Sequence, residues 1–362
     1  MIGIAAIVVW TTITTLTSTN RPLSMETMKL VIASVVLFIA YLVAAPKMPL
    51  AAGAAILSAA IPNACMLLLQ WFDIFNIVNR EELASGMWGQ RYGLTGLLGN
   101  ANDAGVYLLV TLIVAASLAM ESRGGLRRAA IAMTALIAVG MFATVTLTTM
   151  IAAIAAFGVL AMARVRARWR FALVALAIAI VFAGIAMSSS AIRKRVHESV
   201  GLVRSGNVSR ALSGRPNAWL AAWRMFAQHP LVGVGPGCFK YQFFDEKIGI
   251  ARDHPMLGME LWQNFGEAHN DHLQVLAETG LPGYALFLFV IGLVGMRSFR
   301  RCDPNDERAR FVHTVALPAV TGLLVSAIAQ FPMELSATRI AYLFLFAMCC
   351  GWCPESKWSA AS

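Results

Sequence analysis

Charge is what this sequence has least of. Only 13% of its 362 residues are Asp, Glu, Lys or Arg, against about 25% in an ordinary soluble domain. With 58% of the chain hydrophobic, that deficit excludes a conventional solvated globule, which needs more polar surface than remains. Acids are scarcer than bases, and the net charge is +10. The six cysteines are scattered, and only Cys238 falls between residues 190 and 280, so no disulfide can close within that stretch. Cys349, Cys350 and Cys353 ("CCGWC") lack the βαβ surroundings of a redox motif and read better as small buried thiols. No H-E-x-x-H motif occurs. No Gly-Lys-Ser/Thr follows "GVGPG" (Gly233–Gly237), which therefore reads as a turn and not as a phosphate loop. "MIGIAAIVVW" has no basic segment before it and no cleavage motif after it, so the expected reading is a membrane helix and not a signal peptide. Starting directly in lipid-grade sequence, it hints at further helices upstream.

What the chain does have is apolar runs of about 17–20 residues, long enough to cross a hydrocarbon core as helices. Ten are predicted: 2–18, 27–45, 50–70, 101–120, 128–144, 146–163, 171–189, 281–298, 314–333 and 338–353. Short loops rich in Lys and Arg alternate with poorer ones. Lys47, then Arg123, Arg127 and Arg128, then Arg164, Arg166, Arg168 and Arg170, then the Arg297–Arg310 loop all fall on one side. That side is cytoplasmic by the positive-inside rule, and both termini lie there. The positive charge reflects this bias and calls for no nucleic acid. The expected fold is an all-α polytopic membrane protein with about ten transmembrane helices and one large, mostly helical outer loop. Residues 1–189 hold seven spans with a short outer loop at 71–100, residues 190–280 form the large loop, and residues 281–362 hold three spans and a cytoplasmic tail.

The large loop is divided in charge. Arg193, Lys194, Arg195, Arg204, Arg210, Arg215 and Arg224 oppose one acid, Glu198, in its first part. Asp245, Glu246, Asp253, Glu260, Glu267, Asp271 and Glu278 oppose Lys247 and Arg252 in its second. Such halves suit a site that grips an anion while activating something neutral. The alternative for Arg193–Arg195 is an anionic lipid surface. "SGRPNAWLAAWRMFAQHP" places Pro216 at a first helical position, with Arg215 at the helix start. Trp219, Trp223 and Phe226 share one face, which suits either the head-group layer or packing inside the loop.

"AHNDHLQVLAETGLPG" (Ala268–Gly283) ends a helix at Gly280 and Pro282. Helical spacing puts His269, His272 and Leu276 on one face. Glu278 falls about half a turn away from His269, to meet a group on another helix or the arginine cluster. His269 is open to three readings: a metal ligand, a packed structural histidine, or a general base. No third ligand is evident for a metal. An ordinary pKa near 6.5 leaves a neutral imidazole able to take a proton at working pH.

Three blocks resemble the O-antigen ligase and polymerase superfamily of membrane glycosyltransferases. His269-Asn270, nine residues, then Gly280-Leu281-Pro282-Gly283 match its His-Asn-x9-Gly-x-x-Gly signature. Arg215 and Trp219, followed by "HPLVGVG" (His229–Gly235), are similar to its Arg-x-x-x-Trp segment and glycine turn. "QRYGLTGLLGNANDAGVYLL" (Gln90–Leu109) looks like its Arg-plus-Gly-Asn-x-Asn helix opening. The resemblance implies a transferase of the bacterial inner membrane with its active site on the periplasmic face. Its donor would be a glycan on undecaprenyl diphosphate. Its acceptor would be lipid A-core for a ligase, or another glycan repeat for a polymerase. His269 would be the base, Arg215 and Arg91 would contact the donor diphosphate, and no metal, nucleotide or other cofactor would take part. Arg210, Asn270, His272 and Glu278 complete the expected substrate-binding set. One departure is that relatives often carry Ser-Arg where this chain has Thr148-Thr149, which removes one arginine from the expected donor contacts. Relatives also often have more spans than ten.

The chemistry of such a transfer agrees with these residue types. A hydroxyl attacking an anomeric carbon must lose a proton, and the departing diphosphate gains charge. Arginine forks onto phosphate oxygens and stays charged. A protein O-glycosyltransferase of the same superfamily is a further alternative. From other classes, a polytopic transporter would carry ionisable groups near the midplane. Here the spans are almost free of charge, with Asn63, Asn100, Asn102 and Asp103 near their outer ends. A catalytically silent scaffold of a polysaccharide-export complex is the third class.

Overall fold

A computed structural model describes residues 2–44, 48–72, 74, 94–162, 184, 190–254, 264–299 and 305–351. Among these residues the regular secondary structure is helical, without strands. An apolar chain in lipid has this solution because a helix satisfies its backbone groups internally. The helices are α1 (Ile2–Leu16), α2 (Arg21–Ala44), α3 (Pro49–Trp71), α4 (Ala101–Glu121), α5 (Gly124–Ala143) and α6 (Leu147–Met162). Then come α7 (Ser190–Arg204), α8 (Val208–Ala211), α9 (Arg215–Gln228), α10 (Phe239–Asp253), α11 (Asp271–Gly295), α12 (Glu307–Ser326) and α13 (Ser336–Gly351).

Six of them, α2, α3, α4, α5, α11 and α12, are long and apolar enough to cross a membrane. Helices α1, α6 and α13 are apolar but shorter. The predicted span 171–189 lies outside the described residues. The chain is therefore an all-helical, multi-pass membrane protein. One register differs from expectation. The span predicted at 314–333 is a helix at Glu307–Ser326, displaced toward the charged end. The charge is accommodated because Arg310 donates to Glu121, while residues beyond Ser326 turn aside and bond to the start of α11.

Two compact units divide the chain. One comprises residues 37–192, 293–326 and 335–362, with α4 at its centre. Every residue from Ala104 to Leu118 is buried, because α3, α5, α6, α12 and α13 surround it. A small residue permits the closest approach: a Cβ at Gly53 would lie 2.8 Å from the Phe311 ring. At one end of this bundle, the side chain of Asn63 accepts from the Leu97 amide (2.8 Å) and that of Gln70 from the Gly96 amide (2.9 Å). Asn63 thus serves the architecture, holding the turn that leads into α4.

Glu121, at the end of α4, is 2% exposed. It accepts from Arg310 Nε (2.9 Å) and Thr314 Oγ1 (2.8 Å), while its main-chain carbonyl accepts from Arg310 Nη2 (3.2 Å). Removing one partner of a buried ion pair costs more than the pair itself contributes.

The other unit comprises residues 1–36, 193–292 and 327–334. Its apolar centre is made by Ala218, Ala221, Ala222 and Met225 of α9, Phe239 and Phe243 of α10, and Ala268 and Ala277. The alanines let α9 and α10 lie close. Arg224 braces the pair from outside, reaching Asp253 at 2.7 Å. Of the two readings of α9, packing accounts for its alanine face, while Trp223 remains 52% exposed beside Phe226.

The buried ion pair yields the first prediction. Glu121→Ala should destabilise the protein by about 3–5 kcal/mol. A drop in the thermal midpoint of the detergent-solubilised protein would register it.

Candidate functional site

The chain before α11 is unusual at one residue. His269 has φ 51, the left-handed region, where a side-chain-bearing residue costs about 1–3 kcal/mol unless its surroundings impose it. The surroundings do so from both sides. The Gln274 side chain reaches back to accept from the Ala268 amide (2.9 Å), and Asn270 Oδ1 accepts from the Leu273 amide (3.0 Å). Together they close the start of the helix in the manner of a capping box. On the far side, the Asp271 amide donates to the Ala327 carbonyl (3.0 Å), and Asp271 Oδ2 accepts from the Met333 amide (3.0 Å). Residues 327–334 are therefore part of the site's wall.

The imidazole itself is held by packing. Its ring meets Phe331 edge-on at 4.7 Å and Phe265 at 5.7 Å. Its Nδ1 is buried without a hydrogen-bond partner among the described residues, so no carboxylate orients the ring through that nitrogen. Trp219 on α9 donates its indole N–H to the His269 carbonyl over 3.4 Å, tying the helix that starts at Arg215 to this loop. Burial pushes the imidazole down to about 4, and the positive charge of Arg215 adds to the shift. The histidine is thus neutral across the ordinary pH range, and a guanidinium is near enough to matter. Burial likewise raises the carboxyl of Glu267, two residues earlier, with Lys240 opposing the shift.

The remaining expected site residues fall in separate places. Arg215 is the first residue of α9, after Gly214 in the left-handed region, and is half-buried. Arg210 is exposed on α8. Asn270 caps α11 with its side-chain oxygen. His272 does not share a helical face with His269, as the spacing suggested, because His269 precedes the helix and is turned by its φ. The His272 ring instead faces Tyr284, with Nδ1 3.1 Å from the phenolic oxygen, and Phe287. Arg91 lies outside the described residues. Leu94, three residues later, donates its amide to the Ala143 carbonyl.

Glu278 finds its partner on another helix, one of the alternatives open to it. Its carboxylate accepts from the amides of Gly237 (2.8 Å) and Phe239 (3.1 Å) at the start of α10. The glycine turn is fitted onto the same place. Helix α11 breaks at Gly280, with φ 70 and ψ −176. The carbonyls stranded by that break are each met from outside: Ala277 by the Val234 amide (2.9 Å), Glu278 by the Gly235 amide (3.0 Å), Thr279 by Trp10 Nε1 (2.9 Å). A Cβ on Gly280 would fall 2.1 Å from the Leu231 carbonyl oxygen. Cys238, at the other end of the turn, is buried against Ser18 and Ser24, with Sγ 3.2 and 3.3 Å from their hydroxyls.

Among the described residues, no group of three or more His, Cys, Asp or Glu is placed to hold a metal ion. The arrangement can take up a proton at His269 beside a fixed positive charge. The residues missed in the sequence are Phe331 and Asp271, which reach the site through contacts between distant segments. Gln274 carried a visible signal, since a polar residue near a helix start can close a cap.

Replacing Glu278 by Ala should leave the part-buried Gly237 amide and the buried Phe239 amide at the start of α10 without their acceptor, at about 1–3 kcal/mol for the buried one. Glu278→Gln keeps one acceptor and should recover part of the loss. Thermal midpoints of the two variants and the parent measure this.

No curated protein matches the chain. Arg215, His269, the glycine turn and the α11 break all fall between residues 132 and 288, the stretch that matches the family model described as O-antigen ligase.

Proposed function

We propose that the protein is a glycosyltransferase that moves a glycan from undecaprenyl diphosphate to a sugar hydroxyl, with lipid A-core as acceptor, on the periplasmic face of the inner membrane. The observation that carries this reading is the pairing of a neutral, half-buried His269 with the charge of Arg215, inside a segment that matches the O-antigen ligase family. His269 takes the proton of the acceptor hydroxyl. The hydroxyl oxygen attacks the anomeric carbon, and the bond from that carbon to the diphosphate oxygen breaks. The leaving diphosphate gains negative charge, which Arg215 neutralises through paired hydrogen bonds. Stabilising charge where it develops is usually the largest catalytic contribution.

The electrostatics also order the events. In the free protein, Arg215 and the apolar surroundings both oppose a proton on His269. A diphosphate resting on Arg215 would cancel that repulsion and raise the basicity of the imidazole. His269 then becomes a better base only once the donor is bound. Asn270 and Glu278 support this geometry through the cap of α11 and the start of α10. His272 and Arg210 would border the bound substrates.

His269→Ala should lower the rate of glycan transfer about 10²–10⁴-fold, the usual loss for a positioned base. Arg215→Ala should also cut the rate strongly, and Arg215→Lys should restore it only in part, since an ammonium cannot fork onto phosphate. Glycan electrophoresis of a deletion strain complemented with each variant reads both. Full-length chains on lipid A-core with His269→Ala would overturn the proposal.

The pH dependence follows from the depressed histidine. A folded pKa of about 4 lies below the ordinary 6.5, so neutral base is present well into the acid range. The rate at limiting donor, kcat/KM, should show no acid limb near 6.5 and should fall only as the pH descends toward 4. The same shift makes the fold lose stability as pH falls between 6.5 and 4, because the unfolded chain takes up the proton first. Donor-limited rates measured across that range check the first point.

A further inference from the structure

Helix α7 (Ser190–Arg204) takes no part in the site described above. Val196, Val200 and Val203 recur at helical spacing and form one apolar face. That face is open, with Val200 43% and Val203 51% exposed. Arg193, Lys194 and Arg204 are exposed along the same helix, against the single acid Glu198. At 100° per residue, Arg193 and Arg204 lie on one flank of the valine face, within about 75° of its centre. The principal helix–helix packings among the described residues leave α7 out.

The sign of the charge and the place in the chain identify what covers this face. The helix begins immediately after residues 171–189, which the sequence reads as a membrane span, so it starts at the level of the lipid surface. Its apolar residues are short and few, suited to the boundary between head groups and acyl chains and not to a span. The long stems of arginine and lysine can lie along such a surface while their charges reach phosphate groups.

We infer that α7 lies flat on an anionic phospholipid surface, with Val196, Val200 and Val203 facing the acyl boundary and Arg193 and Arg204 meeting lipid phosphates. This surface is separate from the glycan-transfer site and stands whether or not that reading holds.

Hydrogen–deuterium exchange on the full chain in nanodiscs tests it. Discs of phosphatidylcholine alone are compared with discs that also contain phosphatidylglycerol. The α7 amides should exchange more slowly in the anionic discs, by about fivefold for each engaged basic side chain, and high salt should remove the difference. The double variant Arg193→Glu with Arg204→Glu should abolish the lipid dependence while peptides from α9, α10 and α11 exchange as in the parent. Equal exchange of α7 in the two lipids overturns the inference. If it is fast in both, the helix is solvated. If it is slow in both, a protein contact covers it. The lipid comparison on the unaltered chain decides even if the variant fails to fold.

Discussion

A broken helix beside an apolar span is the constraint on which the candidate site depends. At Gly280 the backbone of α11 leaves the helical path, and three successive carbonyls lose their partners in the helix. Next to lipid, such groups cannot be left bare, since each costs several kcal/mol. The chain meets the cost with Val234, Gly235 and Trp10, one donor for each carbonyl. The Leu281 amide past the break is matched in turn by the Pro230 carbonyl (2.9 Å). The glycine turn is therefore less a loop than the second half of a joint. Its glycines are required by proximity: a Cβ at Gly235 would lie 2.1 Å from Ser18 Oγ.

From this joint the site's geometry follows outward. The turn sets where α10 begins, and Glu278, one residue before Thr279, closes that beginning with both carboxylate oxygens. Helix α9 enters the turn from the other side and lies on α10 through its alanines. Its first residue, Arg215, is thereby delivered toward His269, and its Trp219 touches the histidine's carbonyl. Among the described residues, the histidine ring is held by its backbone conformation and by aromatic packing, and its Nδ1 has no hydrogen-bond partner. That choice keeps the imidazole neutral and lets a nearby cation tune it. A carboxylate partner would have stabilised the charged form and raised the pKa.

Much of this was legible in the residues. Apolar run lengths marked most of the helices, and Gly280 with Pro282 marked the break. The histidine motif and the arginine at the start of a proline-led helix were both visible as residues. The errors have specific causes. Placing His269 and His272 on one face assumed a helix already begun at His269, and a positive φ is invisible to periodicity. The span at 314–333 was displaced because a hydropathy count treats Arg310 as a penalty, while Glu121, 189 residues away in sequence, removes that penalty. The role of Glu278 is not legible in the sequence because its partners are main-chain amides, which every residue but proline carries.

By itself, then, the sequence determined the solvent. So little charge and so many long apolar runs leave only a helical, multi-pass protein, since composition alone decides what water will tolerate. It also determined which side chains were available for chemistry. Only the tertiary structure decided which of them meet. The proximity of Arg215 to His269, the wall contributed by residues 327–334 and the capture of Glu278 by α10 all depend on contacts between segments tens of residues apart. Such contacts are set by packing and by the satisfaction of buried backbone groups, and neither leaves a periodic mark in the chain.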